Sequence, residues 1–462
     1  MGSGFERELS RAATIDDLLS DAYEPLFEES DADIARRRLD AWCHAAASGD
    51  RSLFAERLGR DGWSIEGVLT RLGGVRAEPR VPPPPWMADA EWVGAALQSG
   101  ADGHAPQGSS TVAFAPVLGP LVGEAQRRLR ATVDPAALAI LTNAATSDLA
   151  ATLMNQLSDL ASPALFERFA DAPSFSDFVA DMTDGGFRRL FGDKPVLLRL
   201  LTSLTVQWID TSRELIHRLA DDLTAVRGTL VGAESGCRVV TIAGGLSDPH
   251  NFGRTVRIVG FDDGARVVYK PKHLGVDAAW AALVDRLNRG TPPVDLRAMR
   301  VLTRTGYGWT EFIEHKSCAE PEEFSQFFRR AGAWLALFHV FVGVDMHQEN
   351  IVATGAHPVP IDLEMILQTA DTRVSADGLA FAAAMQKVLD SVVTVGLLPA
   401  YGRHSTSKVF VIGGVHSDSS PRVSLRWRDV NTDVMRPVKT ADTAIAGANL
   451  PFAGTRLSLI HI

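Results

Sequence analysis

Apolar positions in the first half of the chain recur at the spacing of amphipathic helices. Residues 14–27, 31–47, 53–58 and 91–97 read as short helices, with Pro82, Pro83, Pro84 and Pro85 as a stiff connector. Residues 102–110, rich in Gly, Pro and Ser, read as an exposed loop. From 118 to 226 the repeat lengthens into long helices, among them 136–160 and 197–223, broken at Asp184-Gly185-Gly186. There is no internal repeat and no low-complexity tract.

Near Gly228 the pattern changes, and β-rich segments begin at Leu230 and at 238–243. Residues 255–261 alternate in strand fashion, Asp262-Asp263-Gly264 is a hairpin signal, and 265–269 form a second strand that ends at Lys270. A small β-rich lobe is expected to about residue 310. A helical lobe follows, in which 324–342 place Trp334, Leu337, Phe338 and Phe341 on a core face. The turn Gly355-Ala356-His357-Pro358 precedes a short apolar run that ends in Asp362. The expected class is α+β, with a mainly helical region at 1–227 and a catalytic core at 228–462.

Within that core four polar residues follow one another in the order that phosphoryl transfer from ATP requires. Lys270 ends a strand, Asp345 lies five residues before Asn350, and Asp362 follows twelve later. A transferring phosphoryl group needs its charge neutralised by metal and cation while the acceptor hydroxyl is aimed in line. Mg2+ prefers hard oxygen donors, a demand that Asn350 and Asp362 can meet, and Asp345 is then left to face the acceptor. Taken singly, each of these residues reads as a turn former, a helix cap or a solvated strand end. Glu364 falls on the same side as Asp362 if the segment is extended, where it could ligate metal, orient Lys270 or cap a following helix. His347 reads either as an imidazole that shapes the loop or as a donor to phosphate. Asp248 and His250 read, on their own, as part of an Asp-Pro turn; no Gly-x-Gly-x-x-Gly loop covers the expected nucleotide.

The stretches Ser247-Asp248-Pro249-His250-Asn251-Phe252-Gly253-Arg254, Tyr269-Lys270-Pro271-Lys272, Asp345-Met346-His347-Gln348-Glu349-Asn350 and Pro360-Ile361-Asp362-Leu363-Glu364 resemble the dehydratase domain of class II lanthipeptide synthetases. The resemblance is clearest over 196–435 and looser through the helical half. It implies a lipid-kinase-like, two-lobed fold. It also implies a cytoplasmic enzyme that uses ATP and Mg2+ to phosphorylate Ser and Thr of a precursor peptide, recognised by leader and core, and then eliminates phosphate to leave dehydroalanine and dehydrobutyrine. On the same basis Asp248, His250 and His347 belong to the active site, and Arg426 and Thr432 serve elimination. Spacing alone leaves Arg426, Arg428 and Arg436 equivalent, since each offers a fork that grips phosphate. Beyond Met435 the likeness fades, and the chain is expected to stop before the family's zinc cyclase domain.

Composition removes other classes. A formal net charge of −10 gives no basic excess to displace counterions from nucleic acid. Cys43, Cys237 and Cys318 are scattered singly, which excludes a Cys-x-x-Cys clip and suits buried thiols in a reducing compartment. No signal pattern opens the chain, and Arg199 interrupts the apolar stretch 195–209, so no membrane partner is expected. Two other readings remain open: a phosphotransferase on a small molecule or lipid without elimination, and a non-catalytic peptide-binding pseudokinase.

Overall fold

Side-chain caps start several of the N-terminal helices. Thr14 and Asp17 form a reciprocal capping box at Ile15–Leu19. Asp50 accepts from the amides of Ser52 and Leu53 at 2.9 and 3.0 Å to open Arg51–Arg60. Ser64 caps Ile65–Leu72, and Pro85 sits at the first position of Pro85–Gln98, where its missing N–H costs nothing. The computed structural model describes residues 12–25, 32–73, 75–77, 84–99, 111–232, 237–245, 247–368, 379–403, 409–415, 422–442 and 447–452. The expected loop 102–110, Pro82 and Pro83 lie outside them.

The chain divides into two compact units. The first holds Met1–Val133, Ala150–Leu215 and Asp429–Met435. Its N-terminal part buries Leu39, Cys43, Phe54, Leu58 and Val68 in one cluster. The expected helix 14–27 instead ends at Leu19, and Tyr23–Pro25 (β1) pairs antiparallel with Val75–Ala77 (β2), a long-range partner that no local pattern announces. Phe114, Phe169, Phe175 and Phe178 pack ring to ring, with Phe169 centred 5.5 Å from Phe175 and 5.7 Å from Phe178. The turn 429–435 is bonded into this cluster. Asn431 accepts from the Phe114 amide at 2.8 Å and donates to the Val112 carbonyl at 3.0 Å, and Asp433 accepts from the Phe175 amide at 2.7 Å. The expected break at Asp184-Gly185-Gly186 is a π-turn, Met182–Gly186. There Gly185 takes a φ of 81°, and a Cβ on Gly186 would lie 2.6 Å from the Asp181 carbonyl oxygen.

The second unit, Asp134–Leu149, Ile216–Arg428 and Arg436–Ile462, is built on a five-stranded antiparallel sheet. Its strands are β3 (Val239–Ala243), β4 (Arg257–Phe261), β5 (Arg266–Lys270), β6 (Val301–Arg304) and β7 (Tyr307–Glu311), in the order β3-β4-β5-β7-β6. Leu230, expected to begin the β-rich part, lies in the π-turn Arg227–Val231 that Gly232 closes at a φ of 80°. The hairpin forms where the sequence placed it: Gly264 takes a φ of 85°, and Asp263 accepts from the Ala265 amide at 3.0 Å. Because β7 pairs with the other edge of β5, Lys270 ends an interior strand opposite Gly308, which explains why it is only 5% exposed.

Helices Gly275–Arg289 and Pro321–Val340 and the hairpin β8 (Ile351–Thr354) and β9 (His357–Pro360) enclose an aromatic core. Trp280 and Trp334 both stack on Phe338, at 5.3 and 5.5 Å between centroids, and Trp334 donates to the Pro358 carbonyl at 2.8 Å. Of the expected core face, Trp334 and Phe338 are buried and Leu337 and Phe341 pack against them. Two further antiparallel pairs follow, β10 (Ala400–Arg403) with β11 (Val409–Ile412) and β12 (Arg422–Arg428) with β13 (Arg436–Asp442). Among the described residues no helix is long and apolar enough to cross a membrane. Cys43 is buried as expected, whereas Cys237 and Cys318 are partly exposed, and all three thiols are free.

Candidate active site

Lys270 reaches from the end of β5 to the segment that follows β9, where its ammonium donates to the Ile361 carbonyl. The next residue of that segment is Asp362, and Ile361 in turn donates its amide to the Asn350 carbonyl at 2.9 Å. One main-chain residue therefore links the strand lysine, the loop asparagine and the carboxylate. The loop 344–350 is held along its length: Val344 donates to Met365 and Met346 to Val395, each at 2.9 Å, and the Met346 side chain is buried in the aromatic core. Backbone passes so close to Met346 that a Cβ on Gly414 would lie 2.2 Å from its carbonyl oxygen, and Gly396 takes a φ of 82° beside its amide.

Asp345 itself takes a φ of 67°, left-handed backbone that Asp adopts more readily than most residues with a Cβ. Its side chain is half exposed, and the His347 Nε2 lies 3.5 Å from Oδ1. The Glu349 amide donates to His347 Nδ1 at 3.2 Å, so the neutral ring carries its proton on Nε2, the nitrogen that faces Asp345. Asn350 donates from Nδ2 to the Asp345 carbonyl at 2.9 Å, which fixes the amide and leaves its oxygen as the end available to a cation.

Lys272 and Asp277 belong to the same cluster, and neither was assigned a role from the sequence. Lys272 donates to Asp362 Oδ1 at 2.8 Å and to Glu364 Oε2 at 2.7 Å. Asp277, in the first turn of Gly275–Arg289, is 3% exposed, and its Oδ1 has no hydrogen-bond partner. Burial pushes the Lys270 ammonium below the usual lysine range, and the carboxylates of Asp362 and Asp277 oppose that fall. Burial also raises the Asp277 carboxyl, against the pull of Lys270 and Lys272. For Asp362 burial works upward, but the two ammonium groups outweigh it and hold the acid below its ordinary value. Lys272 is the mirror case: burial disfavours its charge, and Asp362 and Glu364 keep it above the usual range.

The donor set fits a hard divalent ion. Asp362 and Glu364 present carboxylate oxygens close enough together to share one ammonium, and the main chain of Asn350 is tied to the residue just before Asp362. The other expected residues lie elsewhere. Asp248 and His250 are exposed on the β3–β4 loop, where His250 and Arg254 exchange main-chain hydrogen bonds at 2.9 and 2.8 Å. Asn251, Phe252 and Gly253 between them all take positive φ. No hydrogen bond or ion pair among the described residues joins Asp248 or His250 to the lysine–carboxylate cluster. Arg426 is exposed in the middle of β12, opposite Val438. Thr432 belongs to the first unit and donates to the Asp429 carbonyl at 2.6 Å.

Fold and site together define a mixed helix-and-sheet protein with a lysine–carboxylate cluster at the end of an interior strand of an antiparallel sheet. Residues 195–460 match the family described as Domain of unknown function (DUF4135), and the chain belongs to that family. A stretch of 193 residues is 24% identical to the Lacticin 481/lactococcin biosynthesis protein LcnDR2 of Lactococcus lactis subsp. lactis. That match takes in 39% of this chain and 21% of the relative.

Proposed function

We propose that the chain is a lanthipeptide dehydratase of the class II type, its catalytic core within 228–462, acting on the Ser and Thr residues of a precursor peptide. The observation that carries the reading is the junction at Ile361, which gathers Lys270, Asn350 and Asp362 with Asp345 on the adjoining loop. The similarity to a lacticin biosynthesis protein supports a peptide substrate in the same kind of pathway. Asn350, Asp362 and Glu364 would hold Mg2+, which supplies charge neutralisation on the phosphates of ATP. Lys270, bonded to the Ile361 carbonyl with no direct carboxylate partner and only 5% exposed, presents its ammonium to the nucleotide. Asp345 takes the proton of the acceptor hydroxyl, and His347 beside it steadies the carboxylate through its Nε2–H.

Elimination asks for a base at the α-carbon and for cations on the departing phosphate. The resemblance to class II synthetases assigns Arg426 and Thr432 to the leaving phosphate and Asp248 and His250 to the active site, roles that rest on that resemblance alone. The test is intact-mass spectrometry of a Ser- and Thr-rich precursor peptide incubated with the full chain, ATP and Mg2+. Loss of about 18 Da per modified residue is expected, with Asp362→Asn leaving the peptide unchanged. ATP turnover without any change in peptide mass would point to a small-molecule phosphotransferase, and binding of peptide without turnover to a pseudokinase.

A further inference from the structure

Lys272 occupies an unusual position for a lysine beside a metal-type donor set. Its ammonium does not lie alongside the carboxylates but bridges them, 2.8 Å from Asp362 Oδ1 and 2.7 Å from Glu364 Oε2. Those are the oxygens that a divalent ion would take. Lys270, by contrast, is anchored to a main-chain carbonyl and is 5% exposed, so it has no carboxylate to give up. The Lys272 side chain is 29% exposed, with Asp362 at 30% and Glu364 at 54%, which leaves a solvent route for an incoming ion and for the displaced ammonium.

Two carboxylates this close repel each other, and partial burial makes an uncompensated pair costly. An ammonium between them removes that cost, and so would a divalent cation, but the one position between the two carboxylates cannot hold both cations at once. Resting on the proposed function above, we infer that Lys272 is the internal counter-ion of the metal site. It holds Asp362 and Glu364 together until a metal ion takes their oxygens, and it is then released to the phosphates of the nucleotide. Metal alone must break both ion pairs and takes from the ammonium the two carboxylates it bridges. Metal arriving with nucleotide supplies phosphate oxygens for that ammonium at the same moment. The exchange therefore favours the metal–nucleotide complex over free metal, a positive coupling between two ligands.

The test uses Mn2+ as the probe, with free ion measured by electron paramagnetic resonance against the full-length protein, first alone and then with a non-hydrolysable ATP analogue. Lys272→Met is expected to bind Mn2+ alone about tenfold more tightly than the unaltered protein and to bind the Mn2+–nucleotide complex more weakly. Lys272→Gln, also uncharged, should show the same opposed pair of changes, and Lys272→Arg should restore the original preference. Loss of folding would weaken both ligands together and could not produce opposite shifts. Unchanged or weaker Mn2+ binding in the Met and Gln variants, with Asp362→Asn still abolishing it, would overturn the role of Lys272 and leave the metal assignment standing. Mn2+ binding that Asp362→Asn does not disturb, or no binding in any variant, would overturn both.

Discussion

Asp222, near the end of the helix Pro195–Val226, carries the strand next to Lys270, and Asp222→Ala should loosen that strand. Its carboxylate accepts three hydrogen bonds, from Arg304 Nε at 2.6 Å, Tyr307 Oη at 2.9 Å and Trp309 Nε1 at 2.9 Å. Asp222 is 4% exposed and Trp309 is fully buried. Truncation leaves the Trp309 N–H with no acceptor and no water, a loss of about 1–3 kcal/mol, and the Tyr307 hydroxyl loses a charge-assisted bond worth about as much. Arg304 is part-exposed and can turn to solvent, so its share is small. Relief of the buried carboxylate's own desolvation offsets some of this. The net expectation is about 2–4 kcal/mol, the two lost acceptors less that relief. For a unit of this size that corresponds to a fall of roughly 10 °C in its melting temperature. Hydrogen exchange read by mass spectrometry should localise the effect to β7 and to β5, which pairs with it at Lys270–Gly308. A shift below about 2 °C, with exchange in β5 and β7 unchanged, would refute the reasoning.

The same node sets an alkaline limit. Burial, followed by the bond to Asp222, pushes the Tyr307 hydroxyl up to about 12, so its contribution is complete below the unfolded value near 10 and is lost as pH rises towards 12. Tyr307→Phe should flatten the fall of melting temperature over that window, and an equally steep fall would contradict the assignment. Asp277→Asn removes a charge that holds the Lys270 ammonium protonated, so the alkaline limb of the pH–rate profile should move to lower pH; an unmoved limb would show that Asp277 does not act through Lys270. Arg426→Ala should stop after phosphorylation and accumulate peptide about 80 Da heavier per residue, whereas dehydration at the original rate would remove Arg426 from the elimination step.

The order of Lys270, Asp345, Asn350 and Asp362 can be read along the chain, and the structure brings Lys270, Asn350 and Asp362 to one junction because a strand end, a loop and the exit of a hairpin meet there. Lys272 was visible in its motif, but its bond to both carboxylates depends on how the segment after β9 approaches β5, which is a long-range property. Asp277 was not singled out because an Asp in the first turn of a helix is ordinary wherever it helps the helix dipole. Asp222 was hidden for a similar reason, as one polar position in a long amphipathic repeat. Among the elements, the helix Pro195–Val226, the Asp184-Gly185-Gly186 break and the β4–β5 hairpin followed from local chemistry, whereas the expected helix 136–160 is split into Pro135–Leu138 and Asn143–Phe169, with Leu141 bridged to Val239 between them. The β1–β2 pair did not, since Tyr23 and Ala77 meet only once the helices between them have packed.

On the proposed function, one cluster passes phosphate from ATP to the peptide before the peptide loses water. Rapid-quench mass spectrometry of a precursor peptide, with the full-length chain, ATP and Mg2+, tests it directly. A species about 80 Da heavier should appear first, matched by ADP, and decay into one about 18 Da lighter as inorganic phosphate is released. Dehydrated peptide forming with no phosphorylated precursor, or at full rate without ATP, would contradict it.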